Sequence, residues 1–140
     1  ARADLHPCLG CDACGMAGPC VQADDMPVLR DLLLEADFVV FVTPLYYFGM
    51  SAQLKTVIDR FYSFTGQLAA RKLKTALIAA AWDNNDWTMK DLSSHYQTLC
   101  RYLQFRDQGM LLGTGCGTVA QTKGSKFPQM AYQWGRALRD

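Results

Sequence analysis

Two short apolar runs constrain the fold of this chain more than any other feature of its sequence. Residues 38–42 (FVVFV) and residues 75–81 (TALIAAA) are continuous stretches of β-branched, aromatic and small apolar residues. Runs of this length are typical of strands that are buried on both faces, as in a parallel sheet covered by helices. Thr43 and Pro44 end the first run, because proline cannot donate to a strand ladder, and Asn84 follows the second.

Helical periodicity precedes and separates these runs. Asp25 is predicted to cap a helix that ends near Ala36, with a proline in its first turn. Ser51 is predicted to cap a second helix, whose apolar residues recur at helical spacing as far as Tyr62. Both helices therefore flank the first strand in sequence.

The second half of the chain continues the same alternation. Thr88 and Asp91 resemble a capping box at the start of a long helix that continues to Leu103. Residues 109–112 are predicted to form a short third strand, and residues 127–138 a closing helix. Strands that alternate with helices predict an α/β layer fold with a parallel sheet.

Length and composition fit one folded domain. We expect a single domain over residues 1–140, with a cysteine-rich loop at 1–25 and an α/β core at 26–140. A hydrophobic content of 50% is too high for a disordered tail, and no apolar run is long enough to span a bilayer. A net charge of +1 argues against nucleic acid or an anionic membrane as the main partner. No secretory signal is visible, so we expect a cytoplasmic protein.

Four of the six cysteines are concentrated near the beginning of the sequence. Cys8, Cys11, Cys14 and Cys20 follow one another with gaps of two, two and five residues. Short gaps let one segment wrap an iron–sulfur cubane, which needs four converging thiolates. Zinc and a redox disulfide remain alternatives at this stage.

The two remaining cysteines receive no functional assignment. Cys100 lies close to the apolar stripe of a predicted helix, so we expect a buried core thiol. Cys116 lies in a glycine-rich loop after the third strand, where we expect exposure to solvent.

Aromatic residues cluster where the first two predicted strands end. Tyr46, Tyr47 and Phe48 follow the first strand, and Trp82 follows the second. Ligands of open α/β sheets bind outside the carboxyl ends of the strands, where exposed aromatic rings can stack on a planar group. Packing of the loops, or contact between subunits, is the alternative interpretation.

Taken together, these motifs resemble those of the iron–sulfur flavoproteins, a branch of the flavodoxin-like NAD(P)H-dependent FMN reductase superfamily. The resemblance covers residues 5–65 well and the remainder by the order of helices and strands alone. It rests on the cysteine run followed by Asp24-Asp25-Met26, Thr43-Pro44-Leu45-Tyr46, Met50-Ser51, Leu54-Lys55 and Asp59-Arg60.

The resemblance implies an FMN-dependent oxidoreductase that passes electrons between FMN and a [4Fe-4S] cluster. Its donor or acceptor would be a small molecule or a protein, and the chain would form a homodimer or homotetramer. The cluster ligands implied are Cys8, Cys11, Cys14 and Cys20. The residues implied to line the flavin are Thr43, Pro44, Leu45, Tyr46, Tyr47, Phe48, Ala81, Trp82 and Asp83.

The chain departs from this family pattern at its beginning. Family members carry a strand, a phosphate-binding loop and a helix before the cysteines, whereas seven residues precede Cys8 here. We therefore expect a flavodoxin-like, doubly wound parallel sheet with helices on both faces that lacks its N-terminal strand and phosphate loop. Two other functions stay open: an NAD(P)H-dependent FMN or quinone reductase without a cluster, and a non-enzymatic zinc-binding interaction module.

Overall fold

A computed structural model describes residues 2–138 of the chain. Helices and strands alternate along it, and no helix among these residues combines the length and apolar character that crossing a membrane requires. The elements, in chain order, are α1 (Met26–Glu35), β1 (Phe38–Pro44), α2 (Ala52–Arg60), a 3₁₀ turn (Phe61–Phe64), α3 (Thr65–Arg71), β2 (Lys74–Ala80), α4 (Lys90–Tyr102), β3 (Arg106–Gly113), α5 (Val119–Gly124) and α6 (Phe127–Ala137).

The three strands form one parallel sheet in the order β1-β2-β3. Val42 pairs with Ile78, and Ile78 pairs in turn with Leu111. Parallel neighbours need a crossover connection, which α2 and α3 supply between β1 and β2, and α4 between β2 and β3. The prediction of an α/β fold with a parallel sheet is confirmed.

Helices pack on both faces of this sheet. On one face, Phe41 of β1 and Leu77 of β2 join the main core with Tyr96 of α4. On the other face, α6 lies against β3, where Gly109 approaches the ring of Trp134. Gly109 has a φ of +108° at a register shift between β2 and β3, so glycine meets both the backbone and the packing requirement there.

The expectation that residues 38–42 are buried on both faces is wrong. Phe41 is buried, but Val40 and Val42 are 41% and 64% exposed. The reason lies in the neighbouring elements, because the main contact of α6 with the sheet is with β3. Among residues 2–138, no strand pairs with the edge of β1 that faces away from β2.

Several helix ends also differ from the sequence predictions. The second helix ends at Arg60 and is followed directly by the 3₁₀ turn and α3. The short helix α5 precedes the closing helix. The capping box at Thr88 is wrong, because α4 begins at Lys90 and the Thr88 hydroxyl donates to the Asp83 carboxylate. Ser51 does cap α2, since its hydroxyl accepts the backbone N–H of Leu54 at 3.3 Å.

The predicted cap at Asp25 is correct in position but not in its bonding. Asp25 precedes α1, yet its carboxylate accepts the backbone N–H of Asp4 at 2.8 Å and makes no cap contact. The carboxylate of Asp24 accepts the backbone N–H of Met26 instead. Asp25 therefore holds the N-terminal segment, and Asp24 stabilises the start of α1.

Candidate functional site

A cleft of about 250 Å³ opens at the carboxyl ends of β1 and β2. It lies between the loop that follows β1 and the loop that follows β2, as expected for a ligand site in an open parallel sheet. Six of the nine residues predicted to line a flavin meet there: Leu45, Tyr47, Phe48, Ala81, Trp82 and Asp83.

The other three predicted residues shape the loop after β1 without lining the cleft. Thr43 is buried, and its hydroxyl donates to the carbonyl of Pro44 at 2.8 Å and accepts the backbone N–H of Ser51 at 2.9 Å. Tyr46 and Gly49 exchange backbone hydrogen bonds of 3.1 and 3.0 Å, which close the loop into a tight turn. These bonds fix the loop to the start of α2.

The turn places two aromatic residues in an unusual backbone conformation at its tip. Tyr47 and Phe48 have φ angles of +45° and +64°, in the left-handed region that side chains rarely occupy. Tyr47 is 101% exposed, so its ring gains no packing that offsets this conformation. Strained, exposed aromatic residues on a loop are typical of ligand-contacting positions.

The opposite wall of the cleft is the indole of Trp82, which lies against the backbone of Gly117. A Cβ atom at position 117 would lie 2.4 Å from two carbons of the indole ring. The glycine loop after β3 is bonded to this wall, since Cys116 N–H donates to Ala81 O at 2.7 Å and Gly115 N–H to Asp83 O at 3.1 Å. The sequence prediction of the site does not include Gly117, although the alternate glycines after the last strand could have indicated it.

An anionic group stands at the rim of the cleft. The Asp83 carboxylate accepts the Thr88 hydroxyl and the Asn85 side-chain amide, the latter at 2.7 Å. Both hydrogen bonds lower the pKa of Asp83, and the bond from Thr88 has the larger effect. Next to it, the Trp87 ring packs 5.1 Å from that of Phe48, so Trp87 is a further aromatic neighbour that the sequence prediction omitted.

A larger groove, of about 760 Å³, lies at the opposite, amino end of the strands. Its lining includes Phe38, Lys74 and Arg106. Because parallel sheets bind ligands outside their carboxyl ends, and the aromatic cluster lies there, the smaller cleft is the stronger candidate.

Neither of the two isolated cysteines presents a reactive thiol at the surface. Cys100 is buried as predicted, 3.6 Å from the Thr75 hydroxyl, and burial raises the pKa of its thiol. The expectation that Cys116 is exposed is wrong, because its loop folds back over β2 and buries the side chain.

The four clustered cysteines lie on one irregular loop before α1. All are free thiols; Cys8 and Cys11 are exposed, and Cys14 and Cys20 are half-buried. The structure does not bring their sulfurs together: within residues 2–138, no three His, Cys, Asp or Glu side chains converge as a metal site would require. Gly15, like the other loop glycine before it, adopts a positive φ, which allows tight turns in this segment.

Hydrogen bonds hold the cysteine loop to the α/β core at both of its sides. The Asp4 backbone bonds the Asp25 carboxylate at 2.8 Å, so the two ends of the segment meet. The Tyr62 hydroxyl donates to the Asp12 carboxylate at 2.8 Å, and this bond raises the pKa of Tyr62. The loop therefore has a defined place next to the 3₁₀ turn.

A buried ion pair forms the strongest of these attachments. Arg60, at the end of α2, is 1% exposed and bonds the Asp24 carboxylate through both Nη atoms, at 2.5 and 3.1 Å. Nη1 also donates to the carbonyl of His6 at 2.8 Å. Burial alone raises the pKa of Asp24, but the hydrogen bonds from Arg60 and from the backbone outweigh it and lower that pKa to about 2.

The aromatic cleft and the cysteine loop are attached to opposite ends of α2. Ser51, at its beginning, bonds Thr43 beside the cleft, whereas Arg60, at its end, holds the cysteine segment. Nine helical residues separate these points, a rise of about 13 Å.

Comparison with known proteins agrees with the fold described above. The Flavodoxin_2 family, described as having a flavodoxin-like fold, matches residues 14–138. An iron–sulfur flavoprotein of Archaeoglobus fulgidus is 46% identical over 56 residues, which are 40% of this chain and 26% of that protein.

Two further proteins resemble a larger part of the chain. A Bacillus subtilis protein named as a candidate NAD(P)H-dependent FMN-containing oxidoreductase, YwqN, is 28% identical over 101 residues, 66% of this chain and 55% of that protein. The structure of the Trp repressor binding protein from Bacillus subtilis superposes with a TM-score of 0.67 at 24% identity, covering 79% of this chain and 71% of that one. The matches to both curated relatives thus span only part of their length.

Proposed function

The chain belongs to the family with the flavodoxin-like fold, and on that premise we propose that it is an oxidoreductase that binds FMN in the aromatic cleft. The observation that carries the proposal is the cleft itself, in which two separate loops bring exposed aromatic rings together at the carboxyl end of a parallel sheet. The FMN-containing relative and the iron–sulfur flavoprotein relative support this choice of cofactor.

The residues of the cleft fit a planar, partly apolar ring system. Tyr47 and Trp82 offer free aromatic faces on two walls, and Ala81 between them leaves space for a ring. The bound flavin would supply hydride and single-electron chemistry, while the chain orients it and limits the access of water. The ionised Asp83 at the rim would favour a polar or positively charged part of the ligand on that side.

We further propose that Cys8, Cys11, Cys14 and Cys20 hold a [4Fe-4S] cluster. The chemistry of the donors fits, because four unpaired thiols lie on one short, glycine-containing loop. Binding requires the loop to draw its sulfurs together from their present separation. The positive φ angles of Gly10 and Gly15 provide the turns for that closure.

The separation of the two sites along α2 favours electron transfer between copies of the chain. With the cleft at one end and the cysteine loop at the other, the flavin of one copy and the cluster of a second would be the partners in a homodimer or homotetramer. The external donor or acceptor would be a small molecule or a protein. The open edge of β1 supports a doubly wound sheet in which a further parallel strand pairs there.

The test is anaerobic purification followed by assays of iron, sulfide, zinc and flavin. We expect about four irons per chain, together with a flavin absorption spectrum. Cys11→Ser should lose most of the iron, whereas Cys116→Ser, the matched control outside the loop, should retain it. Stoichiometric zinc in iron-free protein would contradict the cluster and favour a zinc-binding module.

A reductase without a cluster is the second candidate, and the unconverged sulfurs favour it. In that case NAD(P)H would reduce FMN or a quinone with no contribution from the cysteine loop. Steady-state hydride transfer that is unchanged in Cys11→Ser would support this second function. Loss of electron transfer to a protein or dye acceptor in the same variant, with FMN still bound, would support the first.

A further inference from the structure

The groove of about 760 Å³ at the amino ends of the strands, termed the basic groove, carries an excess of positive charge. Four cations line it, against the single carboxylate of Asp37. The cations are Arg71, Lys72, Lys74 and Arg106. Because the whole chain has a net charge of only +1, this excess is local and does not follow from the overall composition.

Among residues 2–138, Arg71 is the one cation of the basic groove that pairs with another part of the chain. Its Nη2 atom donates to the carbonyl of Ala36 at 3.1 Å and lies 3.9 Å from the Asp37 carboxylate. A cation at the C-terminal end of a helix offsets the helix dipole, so Arg71 has a structural role at the end of α1. The other three cations form no ion pair with the residues that the structure describes.

Two of these three cations face each other across neighbouring strands. Lys74 begins β2 and Arg106 begins β3, and the two residues are register partners in the parallel sheet. Neighbouring strands lie about 4.8 Å apart, and like charges directly opposite each other destabilise a sheet. A bound anion would remove this repulsion, and a lysine beside an arginine offers several N–H donors to the oxygens of a phosphate.

The third cation, Lys72, occupies a backbone position that is unfavourable for lysine. It ends α3 with a φ of +49°, in the left-handed region where glycine is the usual residue at the end of a helix. Lys72 precedes Lys74 by two residues, and both line the groove. A residue held in a sparsely populated conformation beside a concave surface is typical of a functional constraint.

An apolar wall lies next to the cations. It is formed by Phe38, which is the register partner of Lys74 on β1, together with Val40 and Leu138. The volume of the groove is within the range of small-molecule sites, so a compact ligand fits inside it. The combination of cations and an apolar wall suits an anion that also carries a hydrophobic group, whereas a purely acidic peptide gains nothing from that wall.

We propose that the basic groove binds a small organic phosphate, with the phosphate at Lys72, Lys74 and Arg106 and an aromatic or aliphatic group against Phe38. The inference does not depend on the proposed flavin site, because the basic groove and the aromatic cleft lie at opposite ends of the strands.

The first experiment titrates the full chain with phenyl phosphate at low salt and measures the heat of binding. We expect saturable binding whose dissociation constant rises about tenfold in Lys74→Gln and in Arg106→Gln, since each variant loses a charge-assisted hydrogen bond. Lys123→Gln is the matched control, because Lys123 is an exposed cation on α5, beyond the carboxyl end of β3. Phenol, which lacks the phosphate, and inorganic phosphate, which lacks the ring, should both bind more weakly than phenyl phosphate.

Three results of this titration would overturn the inference. The first is the absence of saturable binding to the folded wild-type protein. The second is an equal loss of affinity in Lys123→Gln, which would indicate a general effect of charge. The third is tighter binding of a hexaglutamate peptide than of phenyl phosphate, which would assign the groove to an acidic protein segment instead.

A second measurement uses stability in urea. Lys74→Gln removes the repulsion between register partners, and Lys72→Gly places glycine at the left-handed position, so both variants should unfold at a higher urea concentration than the wild type. High salt should abolish the gain in Lys74→Gln, because salt screens exposed charges. Phenyl phosphate should stabilise the wild type more than either variant, since a ligand stabilises the state that binds it. Variants that match the wild type both with and without phenyl phosphate would contradict the proposed site.

Discussion

The indole of Trp82 packs so closely against the backbone of Gly117 that there is no room for a side chain at position 117. This contact joins the loop after β2 to the loop after β3, and it sets the orientation of one aromatic wall of the cleft. Gly117 has no positive φ to explain its identity, so close approach is the requirement that selects glycine here.

Gly117→Ala is therefore expected to displace Trp82 and weaken FMN binding about tenfold, or by about 1.4 kcal/mol. Quenching of flavin fluorescence on titration gives the dissociation constant, and tryptophan fluorescence reports the movement of the indole. Gly124→Ala is the control, because a Cβ there meets no atom within 4 Å. Equal affinities of the two variants would show that the Trp82 wall does not contact the flavin.

Tyr47→Ala should separate ligand binding from stability. The ring is fully exposed, so its removal should change the free energy of unfolding by less than about 0.5 kcal/mol. If the ring stacks on FMN, affinity should fall about three- to tenfold, in the range of one aromatic pair. Tyr132→Ala removes a largely exposed ring on α6 and should leave affinity unchanged. A Tyr47→Ala protein that binds FMN like the wild type would exclude stacking at this position.

Asp24→Asn tests the buried ion pair through the pH dependence of stability. Since folding lowers the pKa of Asp24 from 3.8 to about 2, the carboxylate stabilises the fold above pH 4 and loses this contribution as the pH falls towards 2. The shift corresponds to about 2 kcal/mol. Arg60 and the imidazole of His6, which lies 3.9 Å from the same carboxylate, are the groups that face it.

In urea unfolding, Asp24→Asn should lose about 3 kcal/mol at pH 7, because it leaves Arg60 buried opposite a neutral amide. Its stability should then depend less on pH between 4 and 2 than that of the wild type. Asp37→Asn is the control, since Asp37 is fully exposed and its contact with Arg71 is 3.9 Å long. An unchanged acid profile in Asp24→Asn would contradict the role given to the ion pair.

Tyr96→Phe tests the polar contact under the sheet. The buried Tyr96 hydroxyl lies 3.0 Å from that of Thr75 and donates to the Asp107 carboxylate at 3.1 Å. Its removal should lower the free energy of unfolding by about 1 kcal/mol. Tyr102→Phe, at the exposed end of the same helix, should have no measurable effect. A stability of Tyr96→Phe equal to that of the wild type would show that these bonds merely replace bonds to water.

Local sequence patterns were sufficient for the three strands and the longer helices, and for six of the residues that line the cleft. Continuous apolar runs predicted β1 and β2, and their ends predicted the two loops that form the cleft, because strand periodicity and strand termination are encoded within a few residues. The aromatic rings at Tyr47 and Trp82 were visible in the same way.

Contacts between residues that are distant in sequence could not be predicted from local patterns. Nothing near Gly117 in sequence shows that Trp82 will lie on it, and nothing near Arg60 shows that Asp24, 36 residues earlier, will bury its charge. The same limit explains the wrong prediction for Val42, which lies in a continuous apolar run but is exposed in the structure.

The sequence by itself thus determined the alternation of helices and parallel strands, the run of four cysteines and the aromatic strand ends, since each depends on spacing along the chain. The tertiary structure decided which face of β1 is covered, which loops meet at the cleft, and which carboxylate pairs with Arg60. These depend on how separate elements pack, and packing is settled by the whole core and not by any local pattern.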